Sequence, residues 1–331
     1  MMHVRQLCTR SAIPATAAIL LALSAGGCFE SGRDPDANTT PAAAKVQYAL
    51  KLAEGRSYYV RVAFDEDIIA QADKRKLSAQ RSTGLGYTFD VNSVDDQANA
   101  LVDCTVNWVR YKQKVTGGTP ANQDVDYDSS DENKQTIPRI KGPGDPLGDI
   151  AFWYARFVRA LLHEKFTLKI TPRGRVQEIR GLKNIRNNMA KKLGRKDLAL
   201  QDVNDFKEYF VRRLPFLSPL EIYPERAVAP GDSWTRTDEL AHQQHEHTWT
   251  LKDRKDGAAT IEVDTIITFE KPPTHVPEFP YSARSHGRIV IDEATGRILR
   301  SKTSQEFLAE TGRSSTVTTF EMTDPQARAD E

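Results

Sequence analysis

Cysteine is scarce in this sequence: its 331 residues contain Cys8, Cys28 and Cys104 and no other. A disulfide-stapled scaffold and a CxxC metal module are excluded by that count. An excess of charge of either sign is missing too. Lysine and arginine number 46 and aspartate and glutamate 45, for a formal net charge of +1. No long-range field therefore argues for nucleic acid or a strongly acidic partner. Beyond Leu23 no apolar run approaches the roughly 20 residues that a membrane-spanning helix needs. Catalytic signatures are absent as well: there is no G-x-S-x-G elbow and no H-E-x-x-H pair, and no ordered Ser/His/Asp set has local support. Non-enzymatic work without a cofactor is the expectation, and address and architecture carry more information than chemistry.

What is present begins with a three-part leader. His3, Arg5 and Arg10 open it without an acid, Ser11 to Leu23 is apolar, and Ser24, Ala25, Gly26 and Gly27 stand directly before Cys28. That is the layout of a secretory signal over residues 1–27. Small residues before a cysteine resemble the lipobox of bacterial lipoprotein precursors, although Ala25 holds the place where that pattern prefers Leu, Val or Ile. The resemblance implies a diacylglyceryl thioether and an N-acyl chain on Cys28. Two or more acyl chains anchor firmly where one is marginal. Phe29, not Asp, follows the cysteine, which by the same resemblance implies the outer membrane of the cell envelope, with the domain facing the periplasm. The alternative is an ordinary secretory leader in which Cys28 is incidental. Cys104 then remains alone, in the strand-like run Leu101 to Val106, where a buried core thiol is expected rather than a nucleophile.

Residues 28–45 are polar and read as a flexible tether. A first β-rich half is expected over 46–181. Val46, Tyr48, Leu50 and Leu52 alternate, as do Tyr58, Val60 and Val62; Tyr87, Phe89 and Val91 open another strand, and Ala100 to Lys114 is a long β-rich run. Thr116 to Gly148 is a polar excursion. Pro146 to His163 is the clearest helix, with Ile150, Tyr154, Phe157 and Leu161 at helical spacing and Trp153 beside them. Phe166 to Ile170 and Val176 to Ile179, joined by Pro172-Arg173-Gly174, read as a hairpin. A helical middle over 182–215 comprises Leu182 to Leu193 and Leu198 to Leu214; a second β-rich half follows over 216–323, with a tail at 324–331.

The second half repeats the first. Thr88 to Val109 lies over Thr248 to Phe269 without a gap, so that Val91 meets Leu251 and Leu101 meets Ile261. Gly55-Arg56-Ser57-Tyr58 matches Gly231-Asp232-Ser233-Trp234, and the turn at Gly174 matches the one at Gly296. The expected class is α+β: a largely antiparallel sheet in two duplicated halves, covered on one face by an amphipathic helix and the helical middle. A β-sandwich with helical insertions is the alternative.

The Gly55 segment, the run Ala227 to Trp234 and the hairpin Gly287 to Asp292 with Thr295-Gly296-Arg297-Ile298 resemble a family of bacterial envelope lipoproteins known only as a domain of unknown function. The resemblance spans Val46 to Met322 and implies no catalytic residues. A more distant likeness is to lipoprotein-localisation carriers, which curl an antiparallel sheet over helices around an acyl chain.

Three clusters are candidate sites. His245 and His247 lie two apart on a strand, a spacing that presents two imidazoles to one metal ion, with His242 or Glu221 as a third ligand. The competing reading is a solvated loop entering a strand. Asp124, Asp126 and Asp128 alternate like the start of a calcium loop, but Ser129 stands where glycine is required and Gln135 where the closing glutamate belongs. Trp153, Tyr154 and Phe157 would face an apolar ligand. The leading expectation is a membrane-held lipoprotein that binds an apolar ligand or an envelope protein, with a structural or assembly role and a metal-dependent enzyme at the histidines as alternatives.

Overall fold

The computed structural model describes residues 44–72, 75–116, 124–134, 146–194, 220–240, 243–269, 282–309 and 312–324, all in one compact unit over residues 43–331. The leader, Cys28, most of the tether, His242, the expected helix over Leu198 to Leu214 and the tail lie outside the described residues.

Strands dominate. In chain order they are β1 (Ser57–Ala72), β2 (Arg75–Val94), β3 (Ala100–Thr116), β4 (Val125–Asp128), β5 (Lys165–Ile170), β6 (Val176–Arg180), β7 (Ser233–Leu240), β8 (Gln243–Lys255), β9 (Ala258–Phe269), β10 (Ser282–Asp292), β11 (Ile298–Ala309) and β12 (Gly312–Thr323). Helix α1 (Pro146–Leu161) separates β4 from β5, and α2 (Leu182–Leu193) follows β6. Among the described residues the strands form one sheet of order β6-β5-β3-β2-β1-β12-β11-β10-β9-β8-β7, with β4 added beside β3. Every pairing is antiparallel. A single sheet replaces the sandwich alternative.

The sheet contains two five-stranded meanders, β1-β2-β3-β5-β6 and β7-β8-β9-β10-β11, joined through β12 between β1 and β11. An irregularity falls at a matching place in each, whereas a further β2/β3 shift between Gly86 and Tyr87 has no counterpart in β8/β9. Register shifts interrupt β2/β3 between Val91 and Ser93 and β8/β9 between Leu251 and Asp253. In both, the strand opening is tied to the residue before the shift: Gly55 N–H donates to Val91 O and Gly231 N–H to Leu251 O. The ungapped overlay nevertheless slips by one residue on the third strand. Val102 pairs with Val91, and Ile261 with Leu251, so Val102, not Leu101, is the counterpart of Ile261. The cause is turn length: five residues link β2 to β3, but only Asp256 and Gly257 link β8 to β9. With a period of two, one residue moves every side chain to the other face.

One face of the sheet is packed. Alternation places Val60 and Val62, Leu85, Tyr87 and Phe89, Val102 and Cys104, Leu168, Ile261, Ile289 and Phe320 there, each at most 3% exposed. Each such side chain contributes roughly 1.5–3 kcal/mol by leaving water. Cys104 is a free, fully buried thiol, and burial holds its pKa well above the ordinary value. Helix α1 presents Tyr154, Phe157, Val158 and Leu161 to this core. It ends where His163 turns left-handed (φ 66°), and Lys192 of α2 donates to the free carbonyls of Ala160 and Leu162 at 2.9 and 3.0 Å. The same ammonium meets buried Glu164 at 2.8 Å. Helix α2 buries Leu182, Ile185, Met189 and Leu193, and left-handed glycines, Gly181 and Gly194, bound it.

The alternating segment Val46 to Leu52 is not a sheet strand. Val46 makes one isolated bridge to Val228. The rest is an extended strap, with Tyr48, Leu50 and Leu52 buried, whose backbone donates to Pro172 O and Thr295 O in two hairpin turns. At the second of these Gly296 has φ 69°, and a Cβ there would collide with the carbonyl of Ala49. The turn thus requires glycine for its conformation and for the strap's close approach.

Candidate functional site

The sequence-predicted histidines sit on the core face of β8. Cross-strand register sets Arg236 opposite His247, Asp238 opposite His245, and Thr265 opposite His247 on the other side. His247 shares a hydrogen bond with Thr265 Oγ1 through Nδ1 (2.9 Å) and approaches Asp238 Oδ2 through Nε2 (3.4 Å). Arg236 grips both oxygens of Asp238, with Nε to Oδ1 at 2.9 Å and Nη2 to Oδ2 at 2.6 Å. It also donates to the Glu221 carbonyl at 2.5 Å and pairs with that residue's carboxylate at 3.3 Å. The His247 ring stacks on Trp249 at 5.2 Å, which in turn stacks on Trp234 at 6.3 Å. Burial lowers the His247 pKa to about 4; Asp238 opposes that shift, and Arg236 and His245 reinforce it.

This geometry gives the metal reading no support among the described residues, and His242, its third candidate ligand, lies outside them. Among the described residues no three His, Cys, Asp or Glu side chains come together in a way that could hold a metal ion. Glu221 is held by Arg236, and both His247 nitrogens face protein partners. His245 meets Gln243 Oε1 at 3.0 Å through Nε2. The order hydroxyl, imidazole, carboxylate in Thr265, His247 and Asp238 resembles a nucleophile–base–orienter set. Its chemistry differs, because the carboxylate is committed to Arg236 and an imidazole with a pKa near 4 is a weak base.

The acidic stretch is a strand rather than a calcium loop. Asp126 and Asp128 belong to β4, paired to β3. Asp128 accepts from Trp108 Nε1 at 2.9 Å and from the Ser130 hydroxyl at 2.7 Å, and Lys134 lies 3.9 Å from Asp126 and 3.3 Å from Asp131. Asp124 is exposed just before the strand. Trp153, Tyr154 and Phe157 do not form a ligand-facing surface either. Trp153 stacks on Phe157 at 5.3 Å, Tyr154 meets Tyr111 at 5.3 Å with the rings tilted by 42°, and all three pack in or against the core.

The sequence reading missed a groove on the opposite, solvent face. It encloses about 600 Å³ over β1, β12, β11, β10 and β9. Register builds it in rows. Arg300 and Arg61 flank Glu321, each directly opposite it; Arg288 and Lys302 are directly opposite one another in the next row. Ala63, Thr319 and Thr260 keep the floor low between these long side chains. At one end Gly86 separates Arg61 from Trp108 in the row. With no side chain between them, the guanidinium lies 4.4 Å over the indole. A methyl group at neighbouring Gly84 would collide with that indole. No motif signals this site, because its residues come from five strands and meet only once the sheet registers are fixed.

Fold and site together describe a broad antiparallel sheet with one filled face and one charged, grooved face. Residues 104–298 match the Family of unknown function (DUF6263), and the chain belongs to that family. No curated protein matches the sequence. Among solved structures, a lipovitellin determined in a study of lipid–protein interactions is similar over 82% of this chain, with 9% identity and a TM-score of 0.48. This chain spans 26% of that one. An outer membrane channel from Pseudomonas putida F1 aligns over 83% of this chain and 97% of its own, at 8% identity and a TM-score of 0.22. The translocator domain of the autotransporter NalP from Neisseria meningitidis aligns over 82% and 90%, at 8% identity and a TM-score of 0.24.

Proposed function

We propose that the protein is a non-enzymatic lipoprotein of the cell envelope, held at a membrane through lipid on Cys28, whose sheet binds a ligand or partner on its solvent face. The groove of about 600 Å³ opposite the filled core carries this reading. A pocket of that size suits a small ligand or one projecting segment of a partner. An apolar occupant has less support. The aromatic face of α1 packs inward, and Ile266 is the one large apolar side chain exposed among the described residues. The leader and the small residues before Cys28 support the address. The shared pairing order and matching bulges support a further reading, that the two meanders descend from one duplicated unit.

A benzophenone side chain placed at Thr319, on the groove floor, tests the binding face in intact cells. Adducts at Thr319 but not at Thr235, on the solvent face of β7, are expected; none at either position overturns the reading. The anchor is tested separately. Cys28→Ser should release the chain from the membrane fraction, and an unmodified Cys28 in mass spectra of the mature protein would remove the lipid from the proposal.

A further inference from the structure

We infer that the groove is an anion site for a phosphorylated ligand, one carrying more than one phosphate-type group on a polar body; this rests on the reading of the groove as the binding face. Its charge is unbalanced where the surrounding face is balanced. Nearby on the same solvent face, opposite charges sit side by side: Lys252 meets Glu262 at 2.8 Å and His286 meets Asp264 at 2.8 Å. Inside the groove Arg288 and Lys302 are direct cross-strand neighbours, and like charges so placed destabilise a sheet. The side chains of Arg300 and Lys302 make no hydrogen bond or ion pair with another described residue. Arg288 has only a 3.7 Å approach to Glu262, and Arg61 only its stacking on Trp108. Glu321 is the one acid lining the groove. Four cations thus face one carboxylate.

The side-chain types select the anion. Three of the four are arginines, whose planar forks donate paired hydrogen bonds to phosphate oxygens, and the fourth is a lysine that acts as a point charge. Stacking on Trp108 orients the Arg61 guanidinium before any ligand arrives. Neighbouring strands lie about 5 Å apart, and Arg61 on β1 is three strands from Arg288 on β10, so the cations cover a patch about 15 Å across. That is wider than one phosphate, and the cavity of about 600 Å³ is of the size that holds a whole small molecule. The matching ligand therefore carries separated anionic groups. A lipid headgroup and a soluble phosphorylated compound share this chemistry.

The test uses the full chain extracted in non-ionic detergent. Calorimetry follows binding of inorganic pyrophosphate, and separately of mixed micelles of phosphatidylcholine with and without cardiolipin. Arg300→Gln/Lys302→Gln is the variant; both side chains are exposed, and circular dichroism and the thermal midpoint check its fold. Pyrophosphate binding that weakens about tenfold or more in the variant and falls with added salt supports a soluble ligand. Binding confined to cardiolipin micelles, with the same loss, supports a headgroup. Failure of both probes, or equal binding by the variant, overturns the proposal. If that failure occurs while Thr319 still yields adducts in cells, the anion chemistry alone falls and the binding face stands.

Discussion

The two meanders share a pairing order but carry different chemistry at matched places on the core face. Two residues before the bulge, each has a cross-strand aromatic pair: Tyr58 with Phe89, and Trp234 with Trp249. In the next row the first meander sets Val60, Tyr87 and Val106 side by side, and the second sets Arg236, His247 and Thr265. One row further, Val62 and Leu85 correspond to Asp238 and His245. Pleat, turn and bulge therefore fix the scaffold, while the content of a row can change from apolar to polar if every polar group gains a partner. Arg236 meets that condition with Asp238 and Glu221, and His247 with Thr265 and Asp238.

The comparison breaks most severely if one polar residue is moved into the apolar row. Val60 is fully buried, and its row holds no carboxylate. Val60→Arg should cost more than about 4 kcal/mol and leave little folded protein, because the charge arrives without a partner; urea denaturation followed by circular dichroism reads this. The reverse exchange is milder. Arg236→Val strands the Asp238 carboxylate and the Glu221 carbonyl and should cost about 1–3 kcal/mol. Adding Asp238→Val and His247→Tyr, which copies the first meander, should recover most of that loss, since a whole ionic cluster replaced by apolar side chains is often neutral in stability. A triple variant less stable than Arg236→Val alone would show that the two rows are not interchangeable.

Much of this scaffold was legible in the sequence, and the reasons are local. Leu182, Ile185, Met189 and Leu193 recur at helical spacing, and α2 has the bounds that spacing predicts. Val102, Cys104 and Val106 alternate, and β3 buries them. What was not legible depended on distance. The strap at Val46 to Leu52 alternates like a strand, but its hydrogen-bond partners are two turns far along the chain. Arg61, Arg288 and Arg300 look like ordinary solvent-facing residues until β12 inserts between β1 and β11. The histidines were visible as a cluster, yet their chemistry was set by Arg236 and Thr265 on neighbouring strands, which spacing along one strand does not show.

Acid should sharpen the contrast between the rows, because the polar row contains a titrating group that the apolar row lacks. His247 has a folded pKa of about 4 against an ordinary value of 6.5. The unfolded chain therefore binds the proton more readily. The stability this group contributes is complete above about pH 6.5 and is lost as pH falls toward 4. A shift of that size corresponds to roughly 3 kcal/mol as an upper bound, with the opposing pull of Asp238 already included in it. Other carboxylates also lose stability in acid, so the quantity to measure is the difference in urea stability between wild type and His247→Tyr at neutral and mildly acid pH. The wild type should fall further over that range, and parallel curves would refute the assignment.

The smallest effect tests the turns that make the two meanders differ by one residue. Asp256 and Gly257 have φ of 53° and 75°, the left-handed pair of a two-residue hairpin turn, and an Asp-Gly sequence suits it. The longer counterpart, Asp95 to Asn99, makes its left-handed bend at Ala98, with φ 59°. It is held by Asp95 Oδ1, which accepts from the backbone N–H groups of Gln97 and Asn99 at 3.0 and 2.9 Å. The Asn99 side-chain amide, which donates to both Asp95 oxygens at 3.1 and 3.0 Å, does most to lower the Asp95 pKa to about 2, and those backbone bonds add to it. The loop is therefore fixed by its side-chain hydrogen bonds, with the Ala98 Cβ strained against the backbone. Ala98→Gly removes that strain and also adds freedom to the unfolded chain, two opposing terms. A net gain of about 0.5 kcal/mol is expected, read as a small rise in thermal midpoint. A loss of similar size would mean that the Asp95 bonds already relieve the strain and that the longer turn is no weaker than its two-residue counterpart.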